Sequence, residues 1–312
     1  MKLNNIIKSI SFIIIIFSIS ILTNCNDVPS NIFNETSSTV ENKDSLEERA
    51  TNWLKTLYPD IKFRKHIQLA YQNGNLINND YKNNAYLYAV EYGENYEGDY
   101  TGDYYTYIAV ELFGKVEFRF MCECFWVKDG HYIILNDIDG DGIDEIIVQQ
   151  NIDNVGGAGQ YLTSVFKISE NNIVNIFQSP DLSKEMINYV YQLFNTGYSI
   201  ELIDGFKGEM KNDFTNYKKI IDLSGNEFTD IFYNQAGEII DNENIELFLD
   251  SFYKLDIVDY DNDGIYELKC TQYAYLDVHT NYIGDVVSIL KFNNEKESFD
   301  VIAAEFIDKL KE

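Results

Sequence analysis

Two short stretches of the sequence carry acidic residues at the spacing of a metal-binding loop. Each stretch has aspartate at its first, third and fifth positions, glycine at its sixth and glutamate at its ninth. The acids of the first stretch, loop 1, are Asp137, Asp139, Asp141 and Glu145, and those of the second, loop 2, are Asp259, Asp261, Asp263 and Glu267. Alternating carboxylates converge only where the backbone curls around one centre, which a glycine permits. Because like charges repel at short range, this convergence is favourable only around a cation.

Calcium is the cation that suits these residues best. It takes about 6–8 oxygen ligands at roughly 2.3–2.6 Å, whereas magnesium needs a tighter octahedron and keeps its waters. Zinc and copper favour nitrogen or sulfur ligands, which the loops lack. We expect the backbone carbonyls of Ile143 and Ile265, at the seventh position, to complete two calcium sites. Asp144 is a reserve ligand beside Glu145, and loop 2 has Tyr266 in its place.

The loops differ from an EF-hand, which needs a bidentate glutamate at its twelfth position and a helix on each side. Val148 and Cys270 occupy the twelfth position here. The residues after each loop, 145–150 and 267–275, are rich in β-branched and aromatic side chains and predict strands.

Each loop begins a longer pattern that occurs twice, at about 130–180 and about 250–305. The order is an acidic loop, a strand, a turn, a strand with a central lysine, an Asn-rich turn and a last strand. The central lysines are Lys167 and Lys291. The shared order predicts two β-meander repeats.

The segments DIDGDGIDEIIV and DYDNDGIYELK resemble the calcium loops of FG-GAP and VCBS repeats, which join strands in β-propellers. The resemblance implies a structural metal and a binding or scaffold module rather than an enzyme. A closed propeller needs typically 4–8 blades, and the sequence shows two loops. An open or degenerate propeller and a small β-domain with the same loops are therefore alternatives. The predicted fold class is mainly β, with propeller-like β-meander repeats and an N-terminal amphipathic helix.

Other segments predict the elements around the repeats. Apolar residues at helical spacing predict the amphipathic helix over 43–57, which Pro59 ends. Short helices are predicted at 182–194 and at the extreme C-terminus. Strands are predicted at 84–92, 104–112, 116–127, 131–136, 145–150, 161–168, 173–178, 197–204, 228–233, 246–258, 266–275, 284–292 and 299–304.

The N-terminus has the layout of a bacterial export signal. Lys2 and Lys8 precede an apolar run at 9–22 that is too short to span a bilayer. The following Leu-Thr-Asn-Cys25 resembles a lipobox, which implies cleavage after residue 24 and a lipid on Cys25. We therefore expect a signal peptide over 1–24, a flexible tether over 25–43 and a β-rich domain over 44–312. The expected location is the bacterial cell envelope, outside the cytoplasm and anchored to the membrane.

The net charge of −27 excludes nucleic acid as a partner and leaves a protein or glycan ligand. The three histidines show no partner pattern for catalysis, and no G-x-S-x-G or H-E-x-x-H motif occurs. The prediction is therefore a binding or scaffold module without enzymatic activity. The alternative is an exported hydrolase acting on envelope polysaccharide, with two further acids roughly 5–10 Å apart in a cleft.

The sequence does not decide the roles of two other groups of residues, the cysteines after Cys25 and a group of tyrosines. Cys122 and Cys124 lie two apart on one face of a predicted strand, so either Cys270 pairs with one of them or all three pack as small apolar groups. Eight tyrosines between residues 86 and 107 alternate with acids. Their composition is typical of ordinary strands, with a sugar or peptide platform as the alternative.

Overall fold

The computed structural model describes residues 45–77, 82–93, 101–153, 160–182, 192–226, 229–240, 245–277 and 280–310. The predicted signal peptide, the tether, Cys25 and most of the helix predicted at 182–194 lie outside these residues. Within them, no helix has the length and apolar character needed to cross a membrane.

The chain divides into two units, one of residues 1–44 and 181–192 and the other of residues 45–180 and 193–312. Of the first unit, the structure describes Asp181, Leu182 and Gln192, and Asp181 pairs with Gln192 in an isolated antiparallel bridge. All elements described below belong to the second unit.

The second unit is mainly β, as predicted, and its described residues form four antiparallel sheets. Its first half comprises α1 (Leu46–Leu57), β1 (Phe63–Gly74), β2 (Asn83–Tyr92), β3 (Thr101–Leu112), β4 (Lys115–Trp126), β5 (Tyr132–Asn136), β6 (Glu145–Asp153), β7 (Gln160–Ser169) and β8 (Asn172–Ser179). Its second half comprises β9 (Tyr198–Ile203), β10 (Lys207–Asn212), β11 (Tyr217–Asp222), α2 (Thr229–Phe232), β12 (Leu247–Leu249), β13 (Lys254–Val258), β14 (Glu267–Leu276), β15 (Tyr282–Asn293) and β16 (Ser298–Asp308).

Neighbouring strands in the chain are neighbours in most of the sheets. Sheet 1 has the order β1-β2-β3-β4, sheet 2 the order β5-β6-β7-β8 and sheet 3 the order β9-β10-β11. Sheet 4 has the order β12-β14-β15-β16, and β13 also pairs with β14. Across the described residues none of the sheets closes on itself.

Sheet 2 and the β13–β16 part of sheet 4 have the same construction. Loop 1 joins β5 to β6 and loop 2 joins β13 to β14. The glutamate of each loop pairs with the last residue of the preceding strand, Glu145 with Asn136 and Glu267 with Val258. The pairing of β7 with β8 shifts register between Val165 and Phe166, and the pairing of β15 with β16 shifts at the equivalent position, between Ile289 and Leu290. The two segments therefore share a register as well as a strand order.

The sheets contact one another in an order that differs from their order in the chain. Ile147 and Val165 of sheet 2 pack in one cluster with Leu268 and Leu290 of sheet 4. A second cluster joins sheets 3 and 4 and contains Met210 and Phe306. Sheet 1 contacts sheet 2, where the Cys122 Sγ lies 4.0 Å from the Gln150 Oε1. The contacts thus run from sheet 1 to 2, then 4, then 3, whereas successive propeller blades follow the chain.

Helix α1 covers one face of sheet 1. Ser45 caps it by accepting a hydrogen bond from the Glu48 N–H at 3.2 Å, and the acids of the first turn and Lys55 in the last turn complement the helix dipole. Its buried residues Ala50 and Leu54 pack on the tyrosines of β2 and β3. Tyr88 and Tyr107 stack with ring centroids 5.5 Å apart. Tyr105 is also buried in this cluster, and Tyr86 and Tyr92 pack against it, as expected for tyrosines of ordinary strands.

Several predicted elements are wrong. The segment predicted as a strand at 228–233 contains the short helix α2, because the Tyr233 N–H closes a helical turn on the Thr229 carbonyl. The predicted strand at 246–258 is two strands, β12 and β13. At the C-terminus, β16 continues to Asp308, and the described residues that follow it form no helix. Strands β1, β10 and β11 were not predicted. Among the described residues, no disulfide joins Cys122, Cys124 and Cys270, and all three are buried, so they pack as small side chains rather than as a cross-link.

Candidate metal centre

Loop 1 brings together three of its predicted ligands. Asp137, Asp139 and Glu145 each offer a carboxylate oxygen within 4.8 Å of the other two. Asp139 and Glu145 are buried, with exposed fractions of 6% and 1%. An arrangement of buried carboxylate oxygens at this separation fits a hard divalent cation such as calcium.

Backbone N–H groups hold the loop in its curled form. The Asp137 carboxylate accepts hydrogen bonds from the Gly140 and Gly142 N–H groups, at 2.7 and 2.9 Å. Both glycines have positive φ, +80° and +86°, which an L-residue with a side chain adopts only with strain. The spacing of aspartate and glycine therefore fixes the turn locally.

Glu145 begins β6 and points back into the loop. Its Oε2 accepts a hydrogen bond from the Ile138 N–H at 2.9 Å. The pKa of Glu145 is raised to about 8, chiefly by burial and also by the charges of Asp139, Asp141 and Asp137, against the lowering effect of that hydrogen bond. Burial and the neighbouring carboxylates both disfavour the charged form of this side chain, and this is why its pKa rises.

The other predicted residues of loop 1 lie beside the cluster. The Asp141 carboxylate accepts the Ile143 N–H at 2.8 Å and is not among the three converging groups. Ile143 follows Gly142 at the seventh position, as expected, and its carbonyl stays a predicted ligand. Asp144, the expected reserve ligand, is not among the three converging groups, and its Oδ2 accepts the Asn75 N–H at 2.6 Å, directly after β1.

Loop 2 has the same backbone arrangement with a different set of converging acids. Asp259, Asp261 and Asp263 each offer an oxygen within 4.8 Å of the others. Glu267 is fully buried, and its Oε2 accepts the Tyr260 N–H at 2.8 Å, as Glu145 accepts that of Ile138. Ile265 donates its N–H to Asp263 at 2.8 Å.

A lysine lies against each loop, and sequence reasoning noted both lysines without giving them a role at the site. The Lys291 Nζ lies 2.7 Å from Asp261, 2.7 Å from Asp263 and 3.0 Å from Glu267. Its hydrogen bonds raise the pKa of Lys291 and lower that of Asp263. Lys167, in contrast, forms an ion pair with Asp139 at 3.3 Å.

The two loops also touch each other. A Cβ added to Gly140 would lie 2.7 Å from the Cδ1 of Ile265, so the side chain of loop 2 packs directly on the backbone of loop 1. The Asn294 side chain, in the turn after β15, donates to the Asp139 carbonyl at 2.8 Å. This contact joins the two repeats and was not predicted, because no local pattern relates residues so far apart.

Comparisons with known proteins give one family model and one relative. A family model described as the YybI C-terminal domain matches residues 196–307, which contain β9 to β16 and loop 2. A protein of Bacillus subtilis (strain 168) described as "Uncharacterized protein YybI" is 27% identical over 170 residues, 54% of this chain and 60% of that protein. The chain therefore spans less than two thirds of this relative. No solved structure matches.

Proposed function

We propose that this protein is a calcium-stabilised binding or scaffold module of the bacterial cell envelope, held outside the cytoplasm by a lipid on Cys25. Loop 1 holds the metal, and the β-rich body presents a surface to a protein or glycan. The metal has a structural role, since it fixes the entrance of β6. The open set of four described β-meanders is at most a degenerate version of a propeller, because its sheets contact one another in an order that departs from that of successive blades.

One observation carries this proposal, namely the convergence of Asp137, Asp139 and Glu145. Burying a carboxylate without compensation costs several kcal/mol. The described cation nearest to this cluster, Lys167, forms its ion pair with Asp139 at 3.3 Å. A calcium ion adds two positive charges to a loop with five acids between 137 and 145. The oxygen-only donor set and the added charge both favour calcium over the softer metals.

Thermal unfolding of the mature protein with calcium and with a chelator tests this function. Calcium at about 100 times its dissociation constant adds about 2.7 kcal/mol to the free energy of unfolding, because it binds the native state alone. We expect Asp139→Asn to remove most of this gain and Glu201→Gln, an exposed acid on β9, to leave it unchanged. A melting temperature of the unaltered protein that does not respond to calcium would refute the proposal.

A further inference from the structure

The two lysines of the repeats occupy the same place in the strand register. On β7, Lys167 directly follows Phe166, which pairs with Ile146. On β15, Lys291 directly follows Leu290, which pairs with Leu268. Lys167 is therefore opposite Glu145, and Lys291 is opposite Glu267. Each lysine extends from the same face of the sheet as its glutamate.

Their contacts with the loops differ sharply. The Lys291 ammonium lies within 3.0 Å of three carboxylates, and a lysine ammonium has three N–H donors. Lys167 lies within ion-pair distance of one described acid, Asp139. The Lys291 ammonium thus lies among the carboxylates of loop 2, whereas the Lys167 ammonium contacts a single carboxylate of loop 1.

The buried glutamate of loop 2 supports this assignment independently of the aspartates. Glu267 is fully buried, and its Oε1 accepts no well-aligned hydrogen bond from the described residues. The Lys291 ammonium, 3.0 Å away, is the group that offsets its charge. Removing a single partner from a buried ion pair is strongly destabilising, so a metal that displaces Lys291 must also replace this contact.

We propose that Lys291 is the resident cation of loop 2, so that the protein binds one calcium ion, in loop 1, and keeps loop 2 closed without metal. This inference rests on the proposed function for loop 1. The predicted second calcium site is thereby replaced by a tethered ammonium. Loop 2 then supports the contact between Ile265 and Gly140 at any calcium concentration.

The number of calcium ions bound, measured by calorimetric titration of the mature protein, tests the inference. We expect one ion for the unaltered protein and two for Lys291→Met. In that variant the freed carboxylates form a metal-binding ring together with the buried Asp259 Oδ1, which accepts no hydrogen bond from the described part of the chain. The matched variant Lys167→Met keeps one ion. Asp261→Asn in the unaltered background leaves the calcium dissociation constant unchanged within about twofold, and this variant decides the question if Lys291→Met does not fold.

The outcomes separate this inference from the proposed function. Two ions in the unaltered protein, reduced to one by Asp261→Asn, would overturn the role of Lys291 and leave calcium binding in loop 1 intact. No ion in the unaltered protein but one in Lys291→Met would support the role of Lys291 and overturn the function proposed for loop 1. No ion in either protein would overturn both. A single ion in the unaltered protein that Asp261→Asn abolishes would also overturn the inference.

Discussion

At the scale of single residues, the loops are explained by carboxylates and by what offsets their charge. Glu145 and Glu267 occupy equivalent positions, and both are buried. Glu267 faces an ammonium at 3.0 Å, whereas Glu145 faces three aspartates and has its pKa raised to about 8, chiefly by burial. The difference between the loops therefore depends on the lysine and not on the acidic motif.

The raised pKa of Glu145 gives the calcium-free protein a characteristic dependence on pH. The native state keeps this proton up to about pH 8, whereas the unfolded chain releases it near the ordinary value of 4.5. Between these values the native state binds more protons, so stability falls as pH rises, by up to about 1.4 kcal/mol per pH unit. Urea unfolding at pH 5 and pH 8 in a chelator measures this loss.

Glu145→Gln is the matched control for that experiment, because its amide keeps an acceptor for the Ile138 N–H and has no proton to lose. We expect the variant to show a clearly smaller loss of stability between the two pH values. An identical loss in both proteins would show that Glu145 does not hold a proton in the native state.

At the scale of the elements, each acidic loop closes a hairpin and the two hairpins meet. Gly140 lies at the contact with φ of +80°, and the equivalent residue of loop 2 is Asn262 with φ of +59°. Asparagine tolerates this conformation better than other side chains do. Loop 1 needs glycine because Ile265 leaves little room for a Cβ.

Gly140→Ala should therefore destabilise the protein by about 1–2 kcal/mol, through the left-handed backbone and the contact with Ile265. Asn262→Gly, the matched change in loop 2, should alter stability by less than about 0.5 kcal/mol, since Asn262 is exposed and glycine adopts the same positive φ. Equilibrium unfolding in urea measures both. A Gly140→Ala protein as stable as the unaltered one would refute the packing described here.

The sequence was informative where structure is local and uninformative where it is not. The aspartate and glycine spacing predicted the curled loops, because the hydrogen bonds of Asp137 connect residues three and five positions apart. Strand β10 was missed because KGEMKN carries too few β-branched or aromatic residues to predict a strand. The position of the Lys291 ammonium among the loop 2 carboxylates depends on the register of β15 against β14, which no local pattern specifies.

At the scale of the whole second unit, the four described β-meanders contact one another in the order of sheets 1, 2, 4 and 3, with hydrophobic clusters between sheets 2 and 4 and between sheets 4 and 3. Sequence repeats indicated meanders at two places, and sheets 1 and 3 add two more without acidic loops. Their order could not be predicted, because it depends on packing between distant segments such as Met210 and Phe306. In the proposed envelope location, the net charge of −27 keeps this body away from anionic headgroups.

Membrane attachment is predicted to depend on Cys25 alone among the cysteines. Expression in a bacterial host with a labelled fatty acid should give a labelled protein in the membrane fraction. Cys25→Ala should abolish the label, whereas Cys122→Ala, which changes a buried free thiol, should retain it. Labelling that survives Cys25→Ala would exclude the proposed anchor.

The most direct measurement for loop 1 is a crystal structure of the protein grown with calcium, with anomalous scattering recorded to locate the ion. We expect a calcium peak in loop 1 at roughly 2.3–2.6 Å from oxygens of Asp137, Asp139 and Glu145. A structure at saturating calcium in which these three carboxylates point apart, with no peak between them, would contradict the proposed calcium site.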